Sequence, residues 1–172
     1  GTLHILGLQK QETLTNQSGV MMAQMKSYYD GLLLGSVTQG NLTKEERWKM
    51  GSLYMDVERT YNAYGFVTQE LDPLNHATTF IPDASQLYPA SVTNALSQTT
   101  ASLYDYSAGK ATQTIDPNGA IVQVVFDGLD RVIEEKQSSV ATPSTLETKT
   151  TFTYTQQSIG TQMLKTDWLD SS

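Results

Sequence analysis

Apolar residues in this chain recur mostly at every second position, and the runs are short and bounded by Gly, Pro, Asn and Asp. That pattern predicts strands rather than amphipathic helices. In residues 120–126, Ala120, Val122, Val124 and Phe126 fall on one face and Ile121, Gln123 and Val125 on the other. Both faces are apolar enough for a sheet that is covered on both sides or awaits a partner. Residues 148–155 set Phe152 and Tyr154 against Thr151, Thr153 and Thr155. Further strands are predicted over 53–61, 66–71, 77–81, 89–93, 98–104, 110–115 and 132–136. Residues 3–8, interrupted by Gly7, and 163–169, anchored by Trp168, read as terminal strands, and 20–29 as a strand or a short helix. At 43–50 helix and strand are both open. Thr43 with Glu46 matches a capping box and Gly51 a C-cap, but the segment is short and strands flank it.

The turns between these runs are periodic. Asp72-Pro73-Leu74-Asn75, Asn94-Ala95-Leu96-Ser97 and Asp116-Pro117-Asn118-Gly119 begin at 72, 94 and 116, two steps of 22. Pro82-Asp83, Tyr104-Asp105 and Phe126-Asp127 begin at 82, 104 and 126, again two steps of 22. Two landmarks with one period indicate an internal repeat, each unit a strand, a turn and a second strand. The expected fold class is all-β, an antiparallel meander of short hairpins. Asn118-Gly119 supplies two positive-φ positions for a type I′ turn, while Pro73 and Pro117 favour type I or II. Gly65 and Gly128 follow aromatic residues where a left-handed conformation costs Gly little. The expected layout is a β lead-in over 1–60, the array over 61–136, a polar Ser/Thr-rich loop over 137–147 and strands over 148–172.

Composition narrows the function classes. With 38% hydrophobic residues the chain is too apolar to be disordered. A net charge of −7 without a basic stripe argues against nucleic acid and anionic membrane surfaces. No apolar run approaches the roughly 20 residues of a spanning helix. Cysteine is absent, which removes disulfides and thiolate metal sites and fits either the cytosol or bacterial export. The start at Gly1-Thr2-Leu3-His4 reads as a processed chain or a piece of a longer one.

Laid out this way, the chain resembles the Rhs/YD-repeat family. Tyr104-Asp105-Tyr106 with Gly109-Lys110, Asp116-Pro117-Asn118-Gly119, and Phe126-Asp127-Gly128-Leu129-Asp130-Arg131-Val132 carry the resemblance. Tyr61-Asn62-Ala63-Tyr64-Gly65 and Asp72-Pro73-Leu74-Asn75-His76 are weaker copies, and the strong part spans 61–136. Tyr28-Tyr29-Asp30-Gly31 through Gly40-Asn41-Leu42-Thr43 looks like the B-component side of insecticidal toxin complexes. Pro82 and Phe126 replace the family's Tyr, and Asp130 its Gly before Arg, a mild change because Asp tolerates the left-handed region. The resemblance implies a sheet spiralling into a hollow shell around a toxic domain, or a cell-surface protein, extracellular in either case. This piece is too short to close a shell alone. It shows no recognisable toxin domain, plug or self-cleaving aspartate pair.

Candidate chemistry is weak beside the structural reading. His4 and His76 lack HxH or HxxxH partners, so no metal is expected. No cofactor motif is present. Asp72, Asp105, Asp116, Asp127 and Asp130 suggest a carboxylate pair or calcium, yet they recur at turn positions where Asp caps its own backbone. Asp72, Pro73, Asn94, Asp116, Pro117, Asn118, Gly119, Asp127, Gly128 and Arg131 are therefore read as repeat turns. Tyr61, Tyr64, Tyr104 and Tyr106, with Trp48 or Trp168, form a candidate sugar-stacking face, against which stands the sealing of one repeat on the next. Asn16-Gln17-Ser18 and Asn41-Leu42-Thr43 match the glycosylation pattern, as chance allows in so Ser/Thr-rich a chain. The expectation is a non-enzymatic structural segment that pairs through strand edges with further repeats or other copies. The alternative is a binding module for carbohydrate or a partner cell.

Overall fold

A computed structural model describes residues 7–138, 145–157 and 160–167. The fold is all-β, an antiparallel meander of thirteen strands with no helix among the described residues. The strands are β1 (Gln11–Thr15), β2 (Met21–Tyr29), β3 (Leu42–Met50), β4 (Leu53–Tyr61), β5 (Val67–Leu71), β6 (Ala77–Pro82), β7 (Pro89–Thr93), β8 (Thr99–Asp105), β9 (Lys110–Ile115), β10 (Ile121–Phe126), β11 (Val132–Gln137), β12 (Glu147–Gln157) and β13 (Gly160–Asp167). The chain divides into two units, Gly1–Leu87 with Thr93–Leu96 and Tyr88–Val92 with Ser97–Ser172. In the first, β1 to β6 pair in chain order. In the second, β8 to β13 do the same.

Segment 42–50 is a strand, and the helix alternative fails for a tertiary reason. Thr43 does not cap: its hydroxyl donates to the Tyr28 carbonyl and accepts from the Gly31 amide. Glu46 lies in register with Lys26 on one side and Asp56 on the other, and Lys44 bridges Glu46 at 2.9 Å and Asp56 at 2.8 Å. These cross-strand charges outweigh a local cap. Gly51, at φ 52, turns the β3–β4 hairpin instead of ending a helix. Segment 20–29 resolves likewise as strand. The strand expected at 3–8 is not seen at Gly7 or Leu8, and 1–6 lie outside the described residues. The first strand is the polar QETLT of β1, exposed at every position, which only its ladder with β2 makes a strand. The last strand ends at Asp167; Trp168 lies outside the described residues.

The turn landmarks merge into one series. Asn62, Asp72, Asp83, Asn94, Asp105, Asp116 and Asp127 stand at steps of 10, 11, 11, 11, 11 and 11, so the 22-residue period is two strand-and-turn units. At Asp116 the Gly119 amide donates to the Asp116 carbonyl at 3.0 Å and the Asp116 amide to the Ala120 carbonyl at 2.9 Å. This is a type I turn closed by a left-handed fourth residue, Gly119 at φ 86. Asn118 is not left-handed, so the type I′ reading fails, and Pro117 takes the first central position that its fixed φ suits. The same two backbone bonds recur at Asn16, Asn62, Asp72 and Asp127. Their left-handed residues are Gly19, Gly65, Asn75 and Asp130. At Asp127 it is thus Asp130, at φ 58, and not Gly128 that turns left-handed. Gly119→Ala is expected to cost about 1 kcal/mol in urea unfolding, and Gly119→Asn less than half of that, since Asn75 already holds this conformation at φ 63.

Among the described residues no apolar side chain is buried; only Ser27, at 4%, and Thr150, at 7%, are. Each unit is therefore a sheet without a second layer over it, whereas an isolated domain ordinarily packs two layers around a core. Among the described residues β1 pairs only with β2 and β13 only with β12, so the outer edge of each meets no further described strand.

Candidate functional site

The repeat residues build one device at each hairpin. The Asx side chain that opens a turn accepts two backbone amides through Oδ1. Asp116 takes Asn118 and Ala120, both at 2.8 Å, and Asp72 takes Leu74 and His76, both at 2.8 Å. Asp127 takes Leu129 and Arg131, while its second oxygen binds Arg131 Nε at 2.8 Å and Nη2 at 2.7 Å. Asn94 accepts from Leu96, and Asn62 from Tyr64 and Phe66. Pro73, Pro117 and Gly128 occupy the residue after the Asx. Asp83, after Pro82, makes the same turn, with Leu87 on Oδ1 and Gln86 left-handed. Asp105 differs by one residue: Ser107 and Ala108 cap it and Gly109 is left-handed.

The aromatic residue before the Asx performs a second task. Tyr29, Tyr61 and Tyr104 each donate a hydroxyl to the carbonyl that begins the preceding strand or lies just ahead of it: Gln9 at 3.0 Å, Leu42 at 2.8 Å and Pro89 at 3.2 Å. Each ring thereby closes the open end of the hairpin whose turn is at the far end. Beside each ring the returning strand carries one extra residue, namely Thr43, Thr68 and Thr112. Their hydroxyls donate to the carbonyls of Tyr28, Thr60 and Leu103, each at 3.3 Å. The hairpins that turn at Asp72 and Asp116 carry no such bulge. A bulge at a strand end raises the local twist there. At Phe126, which has no hydroxyl, the ammonium of Lys110 sits 4.9 Å from the ring centre and donates to the Asp130 carbonyl. Here the extra residue is Ile133, again on the returning strand.

The candidate site residues are thus distributed, not gathered. Asp72, Asp116 and Asn94 sit at turns following β5, β9 and β7, while Asp105 ends β8 and Asp127 follows β10. His76 Nδ1 lies 2.9 Å from Asp72 Oδ2. Among the described residues no three His, Asp or Glu converge as a metal site; His4 lies outside them. Tyr104 stacks on Tyr88 at 4.6 Å between centres, and Tyr106 lies 6.1 Å from Tyr88. Tyr64 stands 80% exposed at its turn, and the Trp48 indole donates to the Gly51 carbonyl.

The most elaborate of these turns opens in the Tyr28-Tyr29-Asp30-Gly31 stretch that the sequence already singles out; what the sequence does not show is which amides Asp30 gathers. Asp30, at φ 57, accepts the amides of Thr38, Gln39, Gly40 and Asn41 at 2.7 to 3.1 Å, and the Thr38 hydroxyl as well. Burial pushes its carboxyl up, but the amides of Gly40, Thr38, Gln39 and Asn41 hold it far below the usual carboxylate range. The loop so held walls an open cleft of about 600 Å³ with Lys44, Arg59 and Tyr61. Its two cations are already partnered, Lys44 by Glu46 and Asp56, and Arg59 by Glu70 at 2.8 Å. A Tyr-Asp-Gly followed ten residues on by Gly-Asn was the available cue.

No family model matches the chain, and no curated protein does. Among solved structures it is similar to the Tc holotoxin pore of Photorhabdus luminescens, with 13% identity and a TM-score of 0.56, over 82% of this chain and 7% of that one. It is similar also to a TcdB2–TccC3–Cdc42 structure, with 15% identity and a TM-score of 0.54, over 90% and 9%. The likeness is one of fold, and the chain spans less than a tenth of either neighbour.

Proposed function

We propose that this chain is a non-enzymatic structural segment of an exported Rhs/YD-repeat protein, contributing strands to a larger β-assembly of the toxin-complex kind. The observation that carries the reading is that, among the described residues, no apolar side chain is buried and the outer edges of β1 and β13 meet no further strand. Apolar residues on such a sheet, and the unpaired N–H and C=O groups at its edges, gain stability from continuation by further strands. The use of repeat Asp and Tyr residues as caps and clamps supports a structural role over a catalytic one. The neighbours, a holotoxin pore and a complex of named toxin chains, support the assembly context.

Electron microscopy of the native material tests this. The expected result is a continuous sheet in which the outer edges of β1 and β13 are hydrogen-bonded to further strands. A free domain with both edges facing solvent overturns it.

A further inference from the structure

β1 is exposed at every position, and among the described residues its ladder is with β2 alone. The Ser27 amide donates to the Lys10 carbonyl at 2.9 Å, so Lys10 turns its backbone groups toward β2. These groups alternate along a strand. Glu12 and Leu14 therefore turn inward as well, while Gln11, Thr13 and Thr15 direct their N–H and C=O groups to the outer edge. A strand added antiparallel at that edge must set its own outward residues against these three. Few registers meet that condition.

One of them makes the segment complementary to itself. With Thr13 opposite Thr13, Glu12 faces Leu14. With Gln11 opposite Thr13, Glu12 faces Glu12, and like charges directly opposite repel. With Gln11 opposite Gln11, Lys10 of each strand faces Glu12 of the other, and Leu8 of each faces Leu14 of the other. These fall at the non-hydrogen-bonded positions, where opposed side chains stand closest. The groups are available for it. Lys10 lies against Gly35 and Glu12 accepts from the Gln9 side chain at 3.1 Å, but among the described residues neither has an ion-pair partner. Leu8 is 40% and Leu14 63% exposed. At the other edge, on β13, Lys165 is already paired with Asp167 at 3.0 Å.

We propose that β1 pairs antiparallel with β1 of a second copy, about a two-fold axis at Gln11. The contact is isologous, so it is satisfied by two copies at this edge. It rests on the reading above that the outer edges are continued by further strands, and it names the strand that continues one of them. The ladder supplies the attraction, and the paired charges and leucines select the register.

Disulfide cross-linking tests it, because the chain has no cysteine of its own. In this register the two copies of position 11 face each other with Cα atoms about 5.5 Å apart, within reach of a disulfide. Two copies of position 9, or of position 13, stand about 13 Å apart or more, beyond that reach. Under oxidised glutathione, Gln11→Cys is therefore expected to link two chains, and Gln9→Cys and Thr13→Cys are not. Adding Lys10→Glu or Glu12→Lys to Gln11→Cys sets like charges opposite at two places and is expected to slow the linkage about tenfold. Mixing those two double variants opposes an acidic strand to a basic one, so the mixed dimer, resolved by ion exchange, is expected to predominate. No linkage at position 11, equal linkage at all three positions, or a mixture without preference for the mixed dimer overturns the proposal. Linkage strongest at position 13 moves the axis and overturns it too. The readout is confined to β1, so its failure leaves the reading above intact wherever microscopy shows a different strand on that edge.

Discussion

Taking the protein from about pH 5 to about pH 2 is expected to lower its urea midpoint steadily, with little change between about pH 5 and pH 8. The cause is the row of capping carboxylates. The Arg131 side chain and amide hold Asp127 down to about 2. The His76 amide lowers Asp72, and the Ser107 hydroxyl and amide lower Asp105. Asp30 is held lower still by its backbone amides, against the opposing effect of burial. All four are depressed in the folded state relative to an unfolded Asp near 3.9. Their contribution is therefore complete above about pH 4 and is lost as the pH falls through the folded values. Because the caps recur along the array, the losses accumulate over the whole sheet. Asp72→Asn separates charge from geometry. Asn62 makes the same turn with a neutral amide oxygen, so the variant is expected to keep the turn and shallow the acid transition. A urea midpoint that is flat from pH 5 to pH 2 in the wild type would refute this account.

Asp30→Asn is expected to be the most damaging single turn substitution, costing about 2 kcal/mol. At the other turns Asn substitutes for Asp because only Oδ1 accepts the paired amides. At Asp30 both oxygens accept: Oδ1 takes Gly40 and Asn41, and Oδ2 takes Thr38, Gln39 and Gly40. An amide nitrogen in place of either oxygen would set a donor against these donors. Hydrogen exchange at residues 38–41 is expected to accelerate in the variant while exchange in β4 and β5 is kept. An Asp30→Asn protein as stable as Asp72→Asn would show that the loop does not depend on the carboxylate.

The parts of this protein that repeat were legible in its sequence. The strands at 53–61, 89–93 and 110–115 have the boundaries that alternation and turn residues predict. The period was legible at twice its true unit, because the aromatic marker appears only at every second turn while the Asx appears at each. Asp130 at a position where the family has Gly was readable as a left-handed residue, since that preference resides in one residue. Turn type was harder. Asn118-Gly119 satisfies a type I′ turn on its own, and only the hydrogen-bonded partners, Asp116 and Ala120, select type I with a left-handed closure.

The functional use of the aromatic residues divides along the same line. Tyr61 and Tyr104 are marked by the repeat, but their hydroxyls reach carbonyls 19 and 15 residues away, and no local pattern encodes that distance. Tyr88, which joins Tyr104 and Tyr106, stands outside the aromatic-Asx pattern altogether.

By itself, then, the sequence determined the strand class, the chain-order meander and the places where the chain turns, because alternation, left-handed tolerance and Asx capping act over a few residues. Only the tertiary structure decided that 42–50 is a strand, that Asp30 collects a distant stretch of backbone and that no apolar side chain among the described residues is buried. Those outcomes depend on cross-strand charges, on amides eight to eleven residues away and on what lies over each face. Each is a relation between segments brought together by folding, which no single segment carries alone.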